Sequence, residues 1–282
     1  MVILKHGYNE MKKMAFAATF VALLTTNVQA DTVGLYLGGQ IWQSNASATF
    51  GEKNTLLNFN LKKEQQINYF VAVEHPFPLL PNVRIASSTL DTSGKTTLTQ
   101  EFSFDDETFA IGDDVNASFN VSYVDYTLYY ELFDNGVFSF ELGLTARDFN
   151  GAVTATGPTI IVDECVPTEQ PNLCINNNGT SSVTPTGKRK TNKIEPMLYV
   201  ATNISMPLTN LSVFAQADFS LINDHSLYDY QVGLSYDLVD NRVVDFNLTL
   251  GYRVVKMVFE DLDNLYTDLE FKGAFVGVLA HF

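Results

Sequence analysis

The sequence predicts an all-β fold: a transmembrane antiparallel β-barrel of ten strands in an up-and-down meander, with both termini in the periplasm. Three observations lead to this class. Ten segments alternate apolar and polar residues with the period of two that is typical of a strand. The connections between them alternate between tight turns and longer loops. No stretch of the chain approaches the roughly 20 apolar residues that a membrane-spanning helix needs.

The ten segments share one feature: one face is apolar and the other is polar, with carboxylates and guanidinium groups on it. This is the pattern of a barrel with lipid outside and a polar lumen. A soluble β-sandwich would also alternate, but it need not alternate its loop lengths. The segments are residues 33–43, 66–74, 82–90, 118–132, 137–147, 195–206, 211–221, 228–238, 243–255 and 265–282.

Loop lengths are the second observation. Longer connections lie at residues 44–65, 91–117 and 148–194, and shorter ones at 222–227 and 256–264. The segment 165–193 is rich in Asn, Thr, Ser, Gly and Pro and is predicted to be a solvated surface loop. Short periplasmic turns and long extracellular loops are typical of outer-membrane barrels. The tight turns are predicted at residues 75–81, 134–136, 207–210 and 240–242.

Turn chemistry predicts the register of two hairpins. A three-residue loop with Gly136 in the left-handed conformation would place Leu132 opposite Phe138. The same argument around residues 240–242 places Asp229 opposite Arg253. Directly opposed residues share a face, so both expectations agree with the alternation of polarity.

The amino-terminal 30 residues are predicted to be a cleaved signal peptide. Met11-Lys12-Lys13 begins a basic region, an apolar run follows to Leu24, and Val28-Gln29-Ala30 offers the small residues of a cleavage site. A buried amino-terminal helix is the alternative. Because the first ten residues lack signal character, the true start could be Met11. Residues 31–282 are then expected to form one barrel domain.

Charge and cysteine content narrow the function. The whole chain has a formal net charge of −15, and without residues 1–30 it would have 14 basic and 31 acidic residues. Such an acidic chain is a poor nucleic-acid partner, since nucleic acids require basic patches. Cys165 and Cys174, the two cysteines, are predicted to form a disulfide in an exported protein, with two free thiols as the alternative.

The last strand, residues 265–282, ends on an aromatic residue. Counting back in twos from Phe282 gives an unbroken apolar row through Ala274. A terminal Phe that closes such a row is similar to the signal by which outer-membrane β-barrels are assembled. That resemblance implies that the barrel-assembly machinery is a partner; a soluble core strand is the alternative.

The chain resembles a family of Gram-negative bacterial outer-membrane β-barrel proteins. The residues that carry the likeness are Glu74-His-Pro-Phe-Pro-Leu-Leu-Pro-Asn-Val-Arg84, together with segments 125–135, 142–147 and 261–274. Ala274 stands where the family is expected to have Pro, and the 148–194 connection is longer. The resemblance implies architecture and an outer-membrane location, with lipid and lipopolysaccharide as surroundings, and it implies no established activity.

A network of charges is predicted in the lumen, because an unpaired charge away from water is costly. We expect Asp229 to pair with Arg253, and Glu74 to lie near Arg84 across the turn that joins their strands. A ten-stranded barrel is narrow, so the lumen is predicted to be largely plugged. The predicted network consists of Glu74, Arg84, Asp125, Glu131, Glu141, Arg147, Asp229, Asp245 and Arg253.

We therefore expect no enzyme, cofactor or metal site, but a monomeric barrel with a structural or interaction role, or a narrow conduit for small solutes. The alternative is a lipid- or peptide-hydrolysing barrel, which would need a base beside its nucleophile. Asp224-His225 is the candidate on the outer side, although adjacent strand-end residues point apart. Acidic clusters such as residues 105–107 are candidates for Ca²⁺ binding, but they lack the ligand spacing of an EF-hand and are expected to be solvated loop charges. Residues 188–190 are a loop tip or a contact for lipopolysaccharide phosphates.

Overall fold

The structure is a computed structural model that describes residues 33–51, 57–77, 79–167, 174–222, 225–240, 244–262 and 265–282. The predicted signal peptide, residues 1–30, lies outside this part of the chain. No helix in the described ranges is long and apolar enough to cross a membrane. The strands are β1 Gly34–Gly51, β2 Leu57–Leu61, β3 Glu64–Glu74, β4 Asn82–Thr97, β5 Phe102–Phe104, β6 Glu107–Phe109, β7 Asp114–Asp134, β8 Phe138–Thr156, β9 Ile160–Pro167, β10 Cys174–Val183, β11 Thr186–Ser205, β12 Leu211–Ser220, β13 His225–Asp240, β14 Asp245–Leu262 and β15 Leu265–His281.

Eleven of these strands form one antiparallel sheet, in the order β15-β14-β13-β12-β11-β8-β7-β4-β2-β1-β3. The sheet closes on itself, because β1 also pairs with β15 and β3 also pairs with β4. The closure is uneven where the short β2 lies between the far ends of β1 and β4. Two small hairpins, β5–β6 and β9–β10, stand outside the main sheet. We call the edge with the short turns and with Phe282 the turn end, and the opposite edge the loop end.

Each of the ten predicted segments overlaps one strand of the main sheet, but most of the strands are longer than predicted. β8 was expected to end at Arg147 and continues to Thr156, and β11 begins at Thr186 instead of residue 195. The prediction of a solvated loop at 165–193 is wrong over much of its length, since residues 148–156 pair with residues 186–194 and β9 pairs with β10.

The missed strand segments have a common physical cause, which β7 shows most clearly. In residues 124–132 the outward positions are apolar, and they alternate with Asp125, Thr127, Tyr129 and Glu131. In residues 114–122 the sense reverses: Asn116, Ser118, Asn120 and Ser122 face out, while Val115 and Phe119 are fully buried. A stretch with polar outward positions and apolar inward positions keeps the period of two. It is interpreted as a solvated loop, however, when the outward face of every strand is expected to be apolar.

The same reversal occurs at one level around the sheet. The apolar outward band covers residues 138–146 in β8, 246–254 in β14 and 274–282 at the carboxyl end. Each of these stretches is nine residues long, as is 124–132 in β7. Beyond the band, β15 turns Asp268, Glu270 and Lys272 outward and buries Leu269 and Phe271. Toward the loop end, the closed sheet is therefore polar outside and apolar inside, like a soluble barrel.

Aromatic side chains fill the interior at the loop end. Phe50 is central: its ring lies 4.7 Å from that of Phe59, 4.9 Å from that of Phe119 and 5.5 Å from that of Phe104. Phe104 comes from the β5–β6 hairpin, whose Phe102 and Phe109 are also almost fully buried. This hairpin lies in the predicted loop 91–117 and covers the interior. We call the buried aromatic group Phe50, Phe59, Phe102, Phe104, Phe109 and Phe119 the aromatic cap.

The predicted register was wrong by two residues in both hairpins. Tyr130 lies opposite Leu142, and a bulge at Leu132 shifts the ladder before the turn. Gly136 does take the left-handed conformation, with φ of 77°. In the second hairpin a bulge at Leu238 places Tyr236 opposite Leu248, so that Asp229 faces Val255 instead of Arg253. Because each shift is even, every side chain keeps its predicted face.

Candidate functional site

Below the aromatic cap, four charged side chains form a layer across the interior, which we call the charged layer. Asp125 comes from β7, Arg147 from β8, Asp229 from β13 and Arg253 from β14. Each is at most 6% exposed, and Arg147 is fully buried. The layer carries two positive and two negative groups, so its formal charges balance. These inward positions follow from the period of two in each strand.

Arg147 and Arg253 bind the two carboxylates with paired donors. Arg147 Nε and Nη2 donate to Asp125 at 2.7 and 2.8 Å, and Nη2 also lies 3.0 Å from Asp229 Oδ2. Arg253 Nε and Nη2 donate to Asp229 at 2.9 and 2.7 Å. Paired N–H donors fit a carboxylate geometrically and make stronger bonds than neutral groups do. Asp229 therefore joins the two arginines across the lumen.

Tyr123 seals the layer from the side of the aromatic cap. Its ring lies 3.8 Å from the guanidinium carbon of Arg147, and its hydroxyl donates to Asp229 at 2.9 Å. Arg253 Nη2 in turn lies 3.2 Å from the Tyr123 hydroxyl and 5.6 Å separates its guanidinium from the ring of Trp42. Tyr123 thus makes a cation–π contact with Arg147 and donates a hydrogen bond to Asp229, the carboxylate that Arg253 also binds.

Neutral polar side chains extend the layer toward the turn end. Gln40 donates to Asn68 at 3.2 Å and to Gln231 at 3.0 Å, and Asn68 donates to Ser88 at 2.8 Å. A second chain runs from Thr127 through Thr145 to Asp218, with the last bond at 2.7 Å. The Gln40–Gln231 and Thr145–Asp218 bonds join strands that are not neighbours in the sheet, so neutral polar side chains extend across part of the interior beside the arginines.

A cavity of about 400 Å³ lies between these amides and the turn end. Glu74, Glu131 and Glu141 line it together with one guanidinium, that of Arg84. Its aromatic walls include Tyr36, Phe70, Tyr129, Tyr199 and Phe214. The Tyr129 hydroxyl donates to Glu74 at 2.7 Å, and the Tyr199 hydroxyl donates to Glu141 at 2.9 Å. We call this space the acidic cavity.

The structure places eight of the nine predicted lumen residues in two groups of four and sets Asp245 apart. Asp125, Arg147, Asp229 and Arg253 meet in the charged layer, where a diagonal contact joins Asp229 and Arg253 although they are not directly opposed. Glu74, Arg84, Glu131 and Glu141 line the acidic cavity. Asp245 lies at the turn end, with its Oδ2 3.3 Å from His281 Nδ1.

The predicted proximity of Glu74 and Arg84 needs a correction. Both line the acidic cavity, but they do not form an ion pair: Glu74 accepts from Tyr129, and the Arg84 guanidinium lies 3.5 Å from the ring centre of Phe70. Aromatic side chains take the place of the charged partners, and Tyr129 on β7 reaches Glu74 on β3 across β4.

Sequence reasoning missed several residues of the site. Tyr123, Tyr129 and Tyr199 are nearly fully buried and each hydrogen-bonds a carboxylate. An aromatic residue suits either face of a membrane strand, so alternation gave no signal for these three beyond their odd position numbers, which match those of Asp125 and Arg147. Asp218 was also missed, although its strand β12 was predicted.

Two other predictions, the disulfide and the catalytic candidate His225, concern residues whose side chains are not described. The side chains of Cys165, Cys174 and His225 lie outside the described residues. Backbone pairing sets Cys165 opposite Asn176 and Cys174 opposite Pro167, so the cysteines lie diagonally on one hairpin. Diagonal neighbours are about 7–8 Å apart, whereas Cα atoms in disulfides are usually about 4.4–6.8 Å apart. The disulfide stays a prediction, and it would require this hairpin to shift.

The basic and acidic loop clusters contact each other. Arg189 Nε lies 3.0 Å from Asp105 Oδ1, and the backbone N–H of Lys188 donates to Asp105 Oδ2 at 2.9 Å. Residues 188–190 are part of β11, and these contacts hold the β5–β6 turn against that strand. In the turn, Asp105 and Asp106 both have positive φ. At the other end, Phe282 exchanges two backbone hydrogen bonds with Leu35 and joins the last strand to the first.

No protein-family model and no curated protein matches this sequence. Among solved structures, the chain is similar to the outer membrane protease OmpT from Escherichia coli, with a TM-score of 0.53 and 8% identity over 92% of this chain and 99% of that one. A Pseudomonas aeruginosa FadL homologue follows with 0.34 and 8% over 89% and 90%. Ail of Yersinia pestis gives 0.30 and 11% over 89% and 100%. The first likeness shows the fold, an all-β antiparallel meander resembling outer-membrane barrels, and the other two add nothing to it.

Proposed function

We propose that this protein is an integral outer-membrane β-barrel whose ten long strands each cross the membrane once, with both termini in the periplasm and a lumen closed by its own side chains. The membrane-spanning part would hold the loop end, with its β5–β6 and β9–β10 hairpins, at the cell surface. The protein would not act as a general pore. The observation that carries the proposal is the reversal of polarity at one level around the sheet, combined with an interior that the charged layer fills at that level and the aromatic cap fills toward the loop end.

The apolar band supports the membrane location. Nine-residue stretches fit the roughly 9–11 residues with which a tilted strand crosses a bilayer. Large apolar side chains on the outward face of the band are about half exposed, for example Leu128 at 51% and Leu250 at 58%. Continuous exposure of this kind is unfavourable in water and marks a membrane or protein contact.

The interior supports the closed state. The charged layer fills the lumen with paired groups, and the aromatic cap fills the space above it. A conducting lumen needs a continuous polar path, and the buried phenyl rings of the cap interrupt one. Barrels of about eight strands hold little more than side chains, and about 16–18 strands are needed for an aqueous channel. This favours the structural or interaction role over the conduit.

The expected partners follow from this placement. Lipid would cover the apolar band, and Lys188 and Lys190, which point outward near the loop end, would face lipopolysaccharide phosphates. The barrel-assembly machinery would bind the last strand through Phe282. Cleavage after Ala30 would leave Asp31 as the mature amino terminus, and the barrel would be a monomer.

Labelling of intact cells tests the placement. In a chain without Cys165 and Cys174, the variants Ile111→Cys and Phe77→Cys put one thiol at each end; both native side chains are largely exposed. A membrane-impermeant maleimide should label Ile111→Cys in intact cells, and should label Phe77→Cys only after the outer membrane is opened. Labelling of Phe77→Cys alone in intact cells would reverse the orientation, and equal recovery of both in the soluble fraction would exclude the membrane location.

A hydrolase is the second candidate, and the fold likeness to OmpT is the one finding that favours it. That likeness extends to the backbone fold at 8% identity, and carries no residue of a catalytic site to this chain. Substitution His225→Ala, with assays of lipid and peptide hydrolysis on purified protein, tests it directly. Turnover by the native chain that the variant loses would establish the enzyme.

A further inference from the structure

We propose that the acidic cavity is a binding site for a small organic cation that carries ammonium groups, such as an aliphatic polyamine. The inference goes beyond the closed-barrel function. It rests on the shape, charge and unsatisfied polar atoms of one space at the turn end, and it holds whichever membrane face that end meets.

The size of the cavity is the first step. Its volume of about 400 Å³ lies within the range of about 300–1,000 Å³ that is typical of small-molecule sites. The amide layer of Gln40, Asn68 and Gln231 closes its inner side. Asp134 and Glu131, which are exposed at the turn end, lie at its outer side. A ligand would therefore enter from the turn end and stop at the amides.

The charge of the wall selects a cation. Glu74, Glu131 and Glu141 face one guanidinium, which leaves an excess of carboxylates. The bonds from Tyr129 and Tyr199 use one oxygen each of Glu74 and Glu141, namely Oε1 and Oε2. A carboxylate can accept several hydrogen bonds, so both glutamates retain capacity for donors from a ligand.

The aromatic walls select an organic cation over a bare metal ion. The ring of Phe70 already stacks on the Arg84 guanidinium at 3.5 Å, which shows that this wall accommodates a cation over an aromatic face. Tyr36, Tyr129 and Tyr199 offer further faces around the glutamates. Ammonium groups with an aliphatic chain use carboxylates and rings together, whereas a divalent metal would need oxygen ligands on all sides.

A second, independent observation lies on the opposite wall. Ser235 lines the cavity and is 6% exposed, yet its hydroxyl has no protein partner. Asn247 Oδ1, which is also buried and belongs to the same wall, has no protein partner either. Buried polar atoms are rarely left unpaired. Both oxygens accept hydrogen bonds, so they suit the N–H donors at the far end of a ligand that bears more than one amine.

Calorimetry with spermidine tests the site. Purified barrel in detergent, at physiological ionic strength, should bind spermidine at one saturable site. It should not bind glutamate or the uncharged 1,8-octanediol. Glu74→Gln together with Glu141→Gln should weaken the affinity at least tenfold, since each substitution removes a charged acceptor for a ligand ammonium group. Glu101→Gln, which removes one exposed carboxylate at the loop end, is the matched control and should leave the affinity unchanged.

A second measurement uses the native chain alone, in case the double variant fails to fold. A polyamine with a photoreactive diazirine should crosslink to Tyr36, Tyr199 or their neighbours in the cavity, as read by peptide mass spectrometry. Crosslinks confined to exposed acidic residues, absence of saturable binding, or equal affinity in the double variant would overturn the proposal. Because binding is measured in detergent, its failure would leave the labelling result on membrane placement standing.

Discussion

Arg147 and Asp125 form a two-donor ion pair in which the arginine is fully buried, with Nε and Nη2 at 2.7 and 2.8 Å from the two carboxylate oxygens. The pair lies at the level where the outward face of the sheet changes from apolar to polar. Arg147 also bridges to Asp229 on β13, so one side chain links β7, β8 and β13. This contact joins β8 to β13 across the interior, although β11 and β12 separate them in the sheet.

Arg147→Ala should therefore destabilise the protein strongly. Removal of one partner leaves Asp125 buried without its counter-charge, a change that typically costs about 3–5 kcal/mol. Unfolding in guanidinium chloride, followed by tryptophan fluorescence in detergent, measures the loss. Arg189→Ala breaks the half-exposed contact to Asp105 and is the matched control, with an expected cost of at most about 1 kcal/mol. Equal costs for the two variants would contradict the role of the charged layer.

Gly187→Ala should loosen the aromatic cap. A Cβ at Gly187 would lie 2.3 Å from the backbone oxygen of Phe104, so the β5–β6 hairpin must move away. We expect faster proteolysis at the Asp105-Asp106 turn. Gly39→Ala is the control, because its nearest atom is 3.9 Å away. Unchanged proteolysis of Gly187→Ala would show that the hairpin is not packed on β11 as described.

The sequence predicted faces better than it predicted registers, for a physical reason. Asp229 and Arg253 were expected to be directly opposed, and the bulge at Leu238 shifts them by two residues. The long arginine side chain spans the diagonal, so the contact forms without direct opposition. Turn residues indicate which side chains of a hairpin share a face. A bulge, however, depends on packing on both faces of the sheet, and the residue types at Leu132 and Leu238 do not predict one.

The cap and the acidic cavity escaped sequence reasoning for a different reason. Phe102, Phe104 and Phe109 lie in a stretch with many acidic residues, so the local composition resembles a solvated loop. Their burial depends on Phe50 and Phe119 from distant strands. The tyrosines of the cavity likewise acquire their roles from carboxylates more than 50 residues away, such as Glu74 for Tyr129.

Deletion of Phe282 should abolish assembly and leave export intact. Its backbone closes the seam with Leu35, and the resemblance to assembly signals assigns its ring to recognition. The measurement is the fraction of heat-modifiable, membrane-integrated protein after expression in cells. A conservative Phe282→Tyr variant, which keeps the ring, should assemble. Normal assembly of the deletion variant would refute the role of the residue.

Cys165 and Cys174 should form a disulfide in protein that has been exported out of the cytoplasm. The bond would be local, with a stabilisation below the about 3 kcal/mol of a 15-residue loop in the entropy model. Mass spectrometry after alkylation without reduction checks it. Alkylation of both thiols would show that the diagonal register of the β9–β10 hairpin prevents the bond.

Conductance in a planar lipid bilayer tests the closed lumen most directly. The native protein should give small or intermittent currents, because the charged layer and the aromatic cap occupy the interior. Arg253→Ala, which removes two of the donors to Asp229, should raise the conductance or destabilise the barrel. Steady, large, porin-like currents from the native protein would contradict the account.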